Sequence, residues 1–307
     1  MHRAVQLSVI IPHLNEPETL ANCLAALDAQ RSDGVAFEII VVDNGSAVMP
    51  RAVCDAIGDV RLEREIIAGP GPARNRGAAV AAAPVLAFID ADCVAQPGWV
   101  KAIVTFMEAN PDVGFAGGEI GIMPSRAGEL TMIEAYESVY SYRNDRYIAE
   151  HGFSATGNMA VRAEVFRQVG PFGGITTMED TEWGKRASAL GHRAAFLPQA
   201  LVLTPSCKSF DELARRWDRH VAHEFRHVRG NRRKLLAWGA KTFAVAASPL
   251  AELSTLLRSS RLRGLDERLR AFACLVRVRL YRAGLMAKFA LRDDAADRVG
   301  RWNREQL

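Results

Sequence analysis

The chain has 307 residues, 49% hydrophobic and 24% charged, the composition of an ordinary globular protein long enough for one large domain or one domain plus an appendage. Its five cysteines (Cys23, Cys54, Cys93, Cys207, Cys274) are odd in number and form no CxxC pair, so neither a disulfide framework nor a zinc knuckle is indicated and a reducing compartment is the default expectation. The net charge of +4 is unevenly divided: residues 1–204 carry 16 Lys and Arg against 24 Asp and Glu, and residues 205–307 carry 23 against 11. An acidic front suits a divalent cation, and a basic rear suits an anionic surface.

Met-His-Arg leads directly into an apolar run, without the hydrophobic region and cleavage site of a signal peptide. Leu7–Ile11, Phe37–Val42 and Val85–Ile89 are short runs rich in Val and Ile, as expected of strands covered on both faces. Glu16–Gln30 repeats Leu20, Cys23, Leu24 and Leu27 at helical spacing, with Pro17 in the first turn. Pro72–Ala83 predicts a second helix, stopping before Pro84. Alternating strands and helices imply an α/β fold with a mainly parallel central sheet flanked by helices, its ligands gathered at the carboxyl ends of the strands.

Those ends are polar. The first strand exits into Pro12-His13-Leu14-Asn15-Glu16, the second into Asp43-Asn44-Gly45-Ser46, and the third into Asp90-Ala91-Asp92. Asp-Asn-Gly-Ser is also good turn chemistry, but three rims bearing acids or amides point together to a metal and diphosphate site. Farther on, Asp180-Thr181-Glu182 reads equally as a helix N-terminus with acids in its first turn.

In order, Val9-Ile10-Ile11-Pro12 with Asn15-Glu16, Val41-Val42-Asp43-Asn44-Gly45-Ser46, Ala73-Arg74-Asn75-Arg76-Gly77, Asp90-Ala91-Asp92 and Glu179-Asp180 resemble the family 2 glycosyltransferases of GT-A fold. The resemblance covers about residues 6–205. It implies an inverting transferase whose donor is a nucleotide diphosphate sugar and whose cofactor is Mg²⁺ or Mn²⁺. Pro12, Asn15 and Glu16 would line the nucleobase pocket with Asp43 and Ser46, and Asp43 would accept the N3–H of a uracil. Arg74 and Asn75 would follow Gly69-Pro70-Gly71 onto a helix start that favours an anion, with Arg76 outside the site. Asp92 would be the metal ligand, with Asp90 nearer the ribose or bound through water. Many relatives add a ligand, often His, where this chain reads Leu203-Thr204-Pro205-Ser206; His220, His223 and His227 lie just beyond, spaced to share a helix face. Gly157 and Asn158 would lie beneath the donor sugar. Asp180 matches the catalytic base, Glu179 would orient the acceptor, and Trp183 would stack on a sugar face, unless it simply packs.

The domain division implied is 1–205 for catalysis and 206–307 for a helical, basic region. Ser209–His227 places Phe210, Leu213, Trp217, Val221 and Phe225 at helical spacing, as for a helix packed on the catalytic domain. Arg216-Trp217 matches the end of the QxxRW motif of processive synthases, but Leu213 stands at the Gln position, so processivity is not implied. In Leu235–Leu257, Lys241 and Glu252 would each cost about 2.5–3.5 kcal/mol near a bilayer centre and Pro249 breaks the run, which argues against a membrane span. Leu265–Lys288 aligns Leu265, Leu269, Phe272, Val276 and Leu280 in a stripe among arginines. Such a helix suits either an anionic membrane face, with a glycan or lipid-linked acceptor at the inner side of the cell membrane, or a pair of helices that closes the domain or makes a dimer in a cytoplasmic protein. A sugar-phosphate nucleotidyltransferase would want a lysine-bearing, glycine-rich loop after the first strand, absent from His13–Glu16. A nucleic-acid-binding protein would want aromatic residues among the basic ones of the tail, where few occur, so nucleic acid is not expected as a partner.

Overall fold

The computed structural model describes residues 4–126, 128–175 and 177–291. The chain divides into two compact units: unit 1 holds residues up to Gly121 and Tyr142–Thr204, and unit 2 holds Ile122–Ser141 and the chain from Pro205 on. Residues 122–141, assigned by the sequence reading to the catalytic domain, therefore cluster with the C-terminal helices.

Unit 1 is built on β1 (Leu7–His13), α1 (Pro17–Asp28), β2 (Phe37–Asp43), α2 (Arg51–Ile57), β3 (Val60–Arg64), α3 (Pro70–Val80), β4 (Val85–Ile89), β5 (Val94–Ala95) and α4 (Trp99–Ala109). There follow β6 (Val113–Met123), whose last two residues run into unit 2, α5 (Met132–Tyr140) in unit 2, then α6 (Asn144–His151), β7 (Asn158–Arg162), α7 (Ala163–Val169), α8 (Glu179–Ala189) and β8 (Arg193–Pro205). The sheet order is β3-β2-β1-β4-β7-β6-β8-β5. β3, β2, β1 and β4 run parallel, as expected, whereas β7 pairs antiparallel with both β4 and β6, and β5 with β8, so the sheet as a whole is mixed.

Strand alternation sorts the core onto two faces. Leu7, Val9 and Ile11 pack with Leu20, Leu24 and Leu27 of α1 and with Trp99, Ile103 and Met107 of α4. Ile10, Ile40, Val42 and Phe88 point to the other face, against Ala73 of α3, Phe166 of α7 and Trp183 of α8. Gly77 is what brings α3 down onto the sheet, because a Cβ there would overlap the Ile10 side chain. The polar ends of β1, β2 and β4 consequently share one edge of the sheet.

Unit 2 is helical: α5, α9 (Phe210–Arg226), α10 (Arg232–Ala247), α11 (Leu253–Arg258) and α12 (Gly264–Leu291). A capping box starts α5, with Thr131 accepting from the Glu134 N–H and Glu134 accepting from the Thr131 N–H. The apolar face of α9 divides between two cores of this unit: Leu213 packs with Tyr136 and Leu275, and Val221 and Phe225 with Trp238 and Met286. Glu137 of α5 is fully buried and accepts from Arg216 Nη1 at 2.5 Å, Ser206 Oγ at 2.6 Å and the Cys207 N–H at 2.8 Å. The buried side of α12 is Ala271, Cys274, Leu275, Val278 and Met286, so the predicted stripe is split: Leu265, Leu269 and Leu280 are exposed, while Val276 is half-buried and Phe272 packs against the core of this unit. No described helix is long and apolar enough to cross a membrane.

Candidate active site

The exits of β1 and β2 are latched together. His13 and Asp43 are register partners, and His13 Nδ1 lies 3.3 Å from Asp43 Oδ1. Asp43 Oδ2 accepts from the Gly45 and Ser46 N–H groups, each at 3.2 Å, which fixes the turn beyond β2. Asn15, held at φ 56°, donates its N–H to Ser46 Oγ at 2.8 Å and accepts from the Ala47 N–H at 2.8 Å. Asn tolerates that left-handed backbone, and the two bonds hold it there. Asp43 is buried and organises this rim, Pro12 is half-buried, and Asn15 and Glu16 are exposed along it. His13, to which the family resemblance gives no role, also accepts the Glu16 N–H through Nε2 at 3.2 Å, so one imidazole fixes both exits.

Arg74 joins the third rim to α8. Buried in the second turn of α3, it donates to Asp90 Oδ1 at 2.6 Å and to Glu179 Oε1 at 3.0 Å. Its Nε–H has no acceptor among the described residues. Gly157 lies against the other oxygen of Asp90, where an added Cβ would stand 2.8 Å from Oδ2. Arg76, two residues on, pairs with Glu63 at 2.6 Å in the open.

The charges beyond Arg74 are not balanced. Burial, then the neighbouring Asp90 and Glu16 carboxylates, push Asp92 up to about 7. Burial, then Glu179, push Asp180 up to about 6, with the Thr181 N–H and Arg74 pulling the other way. Asp180 Oδ1 accepts the Thr181 N–H at 2.6 Å. Carboxylates held this way, with Arg74 ion-paired to Asp90 and Glu179 but not to Asp92, form a site short of positive charge, which a divalent cation fits. Asp90, Asp92 and Cys93 are the group of described residues whose ligand atoms lie within 4.8 Å of one another. Two carboxylates suit Mg²⁺ or Mn²⁺; the Cys93 thiol is buried and held well above its ordinary pKa by burial and by Asp90 and Asp92, and it donates to Asp92 Oδ1 at 3.7 Å. The histidines of α9 belong to unit 2 and are not in that group; burial, then Arg216, Arg219 and Arg282, lower His220 to about 4.

Three expected contacts are corrected by the packing. Trp183 is 0% exposed, with its ring against Phe115, Phe166 and Phe172 and its indole N–H donated to the Gly170 carbonyl at 2.9 Å, so it has no face for a sugar. Asn158 is buried and spends its amide within the fold: it donates to the Glu119 and Ala200 carbonyls, each at 2.8 Å, and accepts from Trp99 Nε1 at 2.9 Å. Asn75 closes on the Phe172 backbone, donating to its carbonyl at 3.0 Å and accepting its N–H at 2.9 Å, and so ties down the loop ahead of α8 instead of turning to an anion.

Residues 8–170 match the glycosyl transferase family 2 profile. The glycosyltransferase AglE of Haloferax volcanii is 29% identical over 216 residues, 68% of this chain and 70% of that protein. The uncharacterized glycosyltransferase YibD of Escherichia coli is 33% identical over 118 residues, 37% of this chain and 34% of its own length. Among solved structures, the mannosyltransferase PcManGT of Pyrobaculum calidifontis, in complex with GDP-Man and Mn²⁺, superposes with a TM-score of 0.61 at 16% identity, covering 95% of this chain and 88% of that one. S. aureus TarS 1–349 with UDP-GlcNAc gives 0.53 at 15% identity, covering 98% and 93%. These likenesses are of fold.

Proposed function

The chain belongs to glycosyl transferase family 2 and is a glycosyltransferase, and from that premise we propose a metal-dependent, inverting transfer of a sugar from a UDP-linked donor to a saccharide or lipid-linked glycan. The observation that carries this reading is Arg74, which holds Asp90 at the end of β4 and Glu179 at the start of α8 in one charged cluster with Asp180 as its neighbour. The rim made by Pro12, Asn15, Glu16, Asp43 and Ser46 receives the nucleoside. With His13, Gly45 and Ser46 already facing it, the Asp43 carboxylate keeps a lone pair for one further donor, such as the N3–H of a uracil. Asp92, with Asp90 beside it, holds the ion; a bound Mg²⁺ or Mn²⁺ supplies charge neutralisation on the departing diphosphate.

Asp180 takes the proton of the acceptor hydroxyl, a role its half-buried, raised carboxyl suits because a base with a pKa near 6 is ionised yet still proton-seeking at neutral pH. Attack from the face opposite the leaving group inverts the anomeric carbon. Glu179, fixed by Arg74, orients the acceptor side. The exposed leucines of α12 support a peripheral contact with a membrane on the cytoplasmic side, where a lipid-linked acceptor would be met. Family membership favours neither nucleotidyl transfer nor nucleic-acid binding.

A thermal-shift panel of UDP, GDP, TDP and CDP with and without Mn²⁺ tests the donor and the metal, since a ligand of the native state raises its melting temperature. UDP should shift the protein most, and only with metal; Asp92→Asn should remove the metal-dependent part. Asp180→Asn should abolish turnover with nucleotide affinity nearly intact. Indifference of the wild type to every nucleotide would overturn the donor assignment.

A further inference from the structure

α10 has an inward seam and an opposite apolar stripe. Trp238 and Val245 are buried on the seam, and Trp238 donates its indole N–H to the Met286 carbonyl at 3.0 Å. On the far side Leu236, Ala240, Phe243 and Ala247 recur at i, i+4, i+7 and i+11, with Leu236 78% and Phe243 77% exposed. The exposure continues through Leu250, Leu253 and Leu257. So many large apolar side chains left open in succession mark an interaction surface.

The charge of the segment indicates what covers it. Residues 231–258 hold five basic side chains against the single acid Glu252, which faces Arg279 at 3.5 Å; Lys241 turns to the seam, where it pairs with Glu224 at 2.6 Å, so the cations that count toward a partner are Arg232, Arg233, Lys234 and Arg258. A second copy of this chain would bring the same cations to the contact. A bilayer with anionic headgroups offers an apolar layer beneath a negative one, the order in which a basic amphipathic helix meets it.

We infer that α10 and the segment through Arg258 dock this protein flat on an anionic phospholipid surface, with Leu236 and Phe243 entering the acyl boundary and the basic side chains held at the phosphates. The inference rests on the membrane contact proposed above and adds to it a principal anchor, α10 and α11, beside the α12 leucines. The segment lies in the interface plane, because no described helix is suited to cross.

The test is co-sedimentation of the full chain with vesicles of phosphatidylcholine alone or mixed with phosphatidylglycerol, comparing wild type, Leu236→Glu/Phe243→Glu and Leu269→Glu/Leu280→Glu. Wild type should sediment with the mixed vesicles, and less in high salt. The α10 variant should bind at least about tenfold more weakly, with unchanged circular dichroism, while the α12 variant binds nearly as wild type. Loss in the α12 variant alone would overturn the inference but leave membrane contact standing. No vesicle binding by the wild type, with its nucleotide-dependent thermal shift intact, would sink both membrane readings and spare the transferase. An α10 variant that binds vesicles normally but falls from dimer to monomer would assign the face to a second copy.

Discussion

Arg74 is the residue through which the site's charges communicate. It bonds Asp90 and Glu179, and its positive charge lowers the pKa of Asp180 against the larger upward effects of burial and Glu179. A general base works deprotonated, so at saturating metal, where a bound cation would keep Asp92 ionised, kcat/KM should rise with pH through the Asp180 value near 6 and level off above it. Arg74→Gln removes the downward contribution, so the acid limb should move to higher pH, and turnover at neutral pH should fall on the order of 10²-fold because the two carboxylates lose their common clamp. Arg74→Lys should restore most of the limb position but little of the rate, since an ammonium supplies the charge without the planar fork. A pH–rate profile of the three proteins decides it; an unmoved limb in Arg74→Gln would place the titrating group elsewhere.

Asn158 shows how an element can carry a motif residue for architectural reasons. Its amide joins β7 to the Glu119 and Ala200 carbonyls and to Trp99 of α4. Asn158→Ala would leave two carbonyls and an indole N–H unpaired inside the fold, so a loss of about 2–4 kcal/mol is expected, read as a lower urea midpoint. If Asn158 instead served the donor sugar, stability would hold and KM would rise. The same strands explain what was legible in the sequence. β1, β2, β4 and their helices were readable because both faces are buried and the apolar runs are continuous. β3 was hidden, an edge strand with charges at three of five positions, and β6 was hidden because it carries Gly114, Gly117, Gly118 and Gly121. Those glycines are there for closeness: a Cβ on Gly118 would strike the Asn158 amide and the Ala200 carbonyl, and one on Gly117 the Ser154 hydroxyl. The carboxylates of the site were legible as chemistry at strand ends. Register was not, and so the His13–Asp43 pairing, the closure of Asn75 on Phe172 and the burial of Trp183 came only with the fold.

For the whole molecule, the acidic and basic halves of the sequence correspond only in part to the two units, because Ile122–Ser141 leaves unit 1 and returns. Its helix α5 packs Ala135, Tyr136 and Val139 against Leu213, Cys274 and Val278, and carries the fully buried Glu137 to Arg216, Ser206 and Cys207. A chain cut after Thr204 would keep α5 while removing every one of these partners. An ionised carboxylate bereft of its guanidinium is costly only if it stays buried, so the freed helix should turn Glu137 to water and expose the apolar residues flanking it. The protein of residues 1–204 should therefore aggregate or bind an apolar dye, whereas the same chain with residues 122–141 replaced by a Gly-Ser linker should remain in solution with the circular dichroism of an α/β fold. Sedimentation velocity on the two proteins separates the cases. A monodisperse 1–204 chain with α5 intact would mean that this helix does not depend on the C-terminal helices for its burial, and that the division after Thr204 is as good a boundary in solution as it is along the chain.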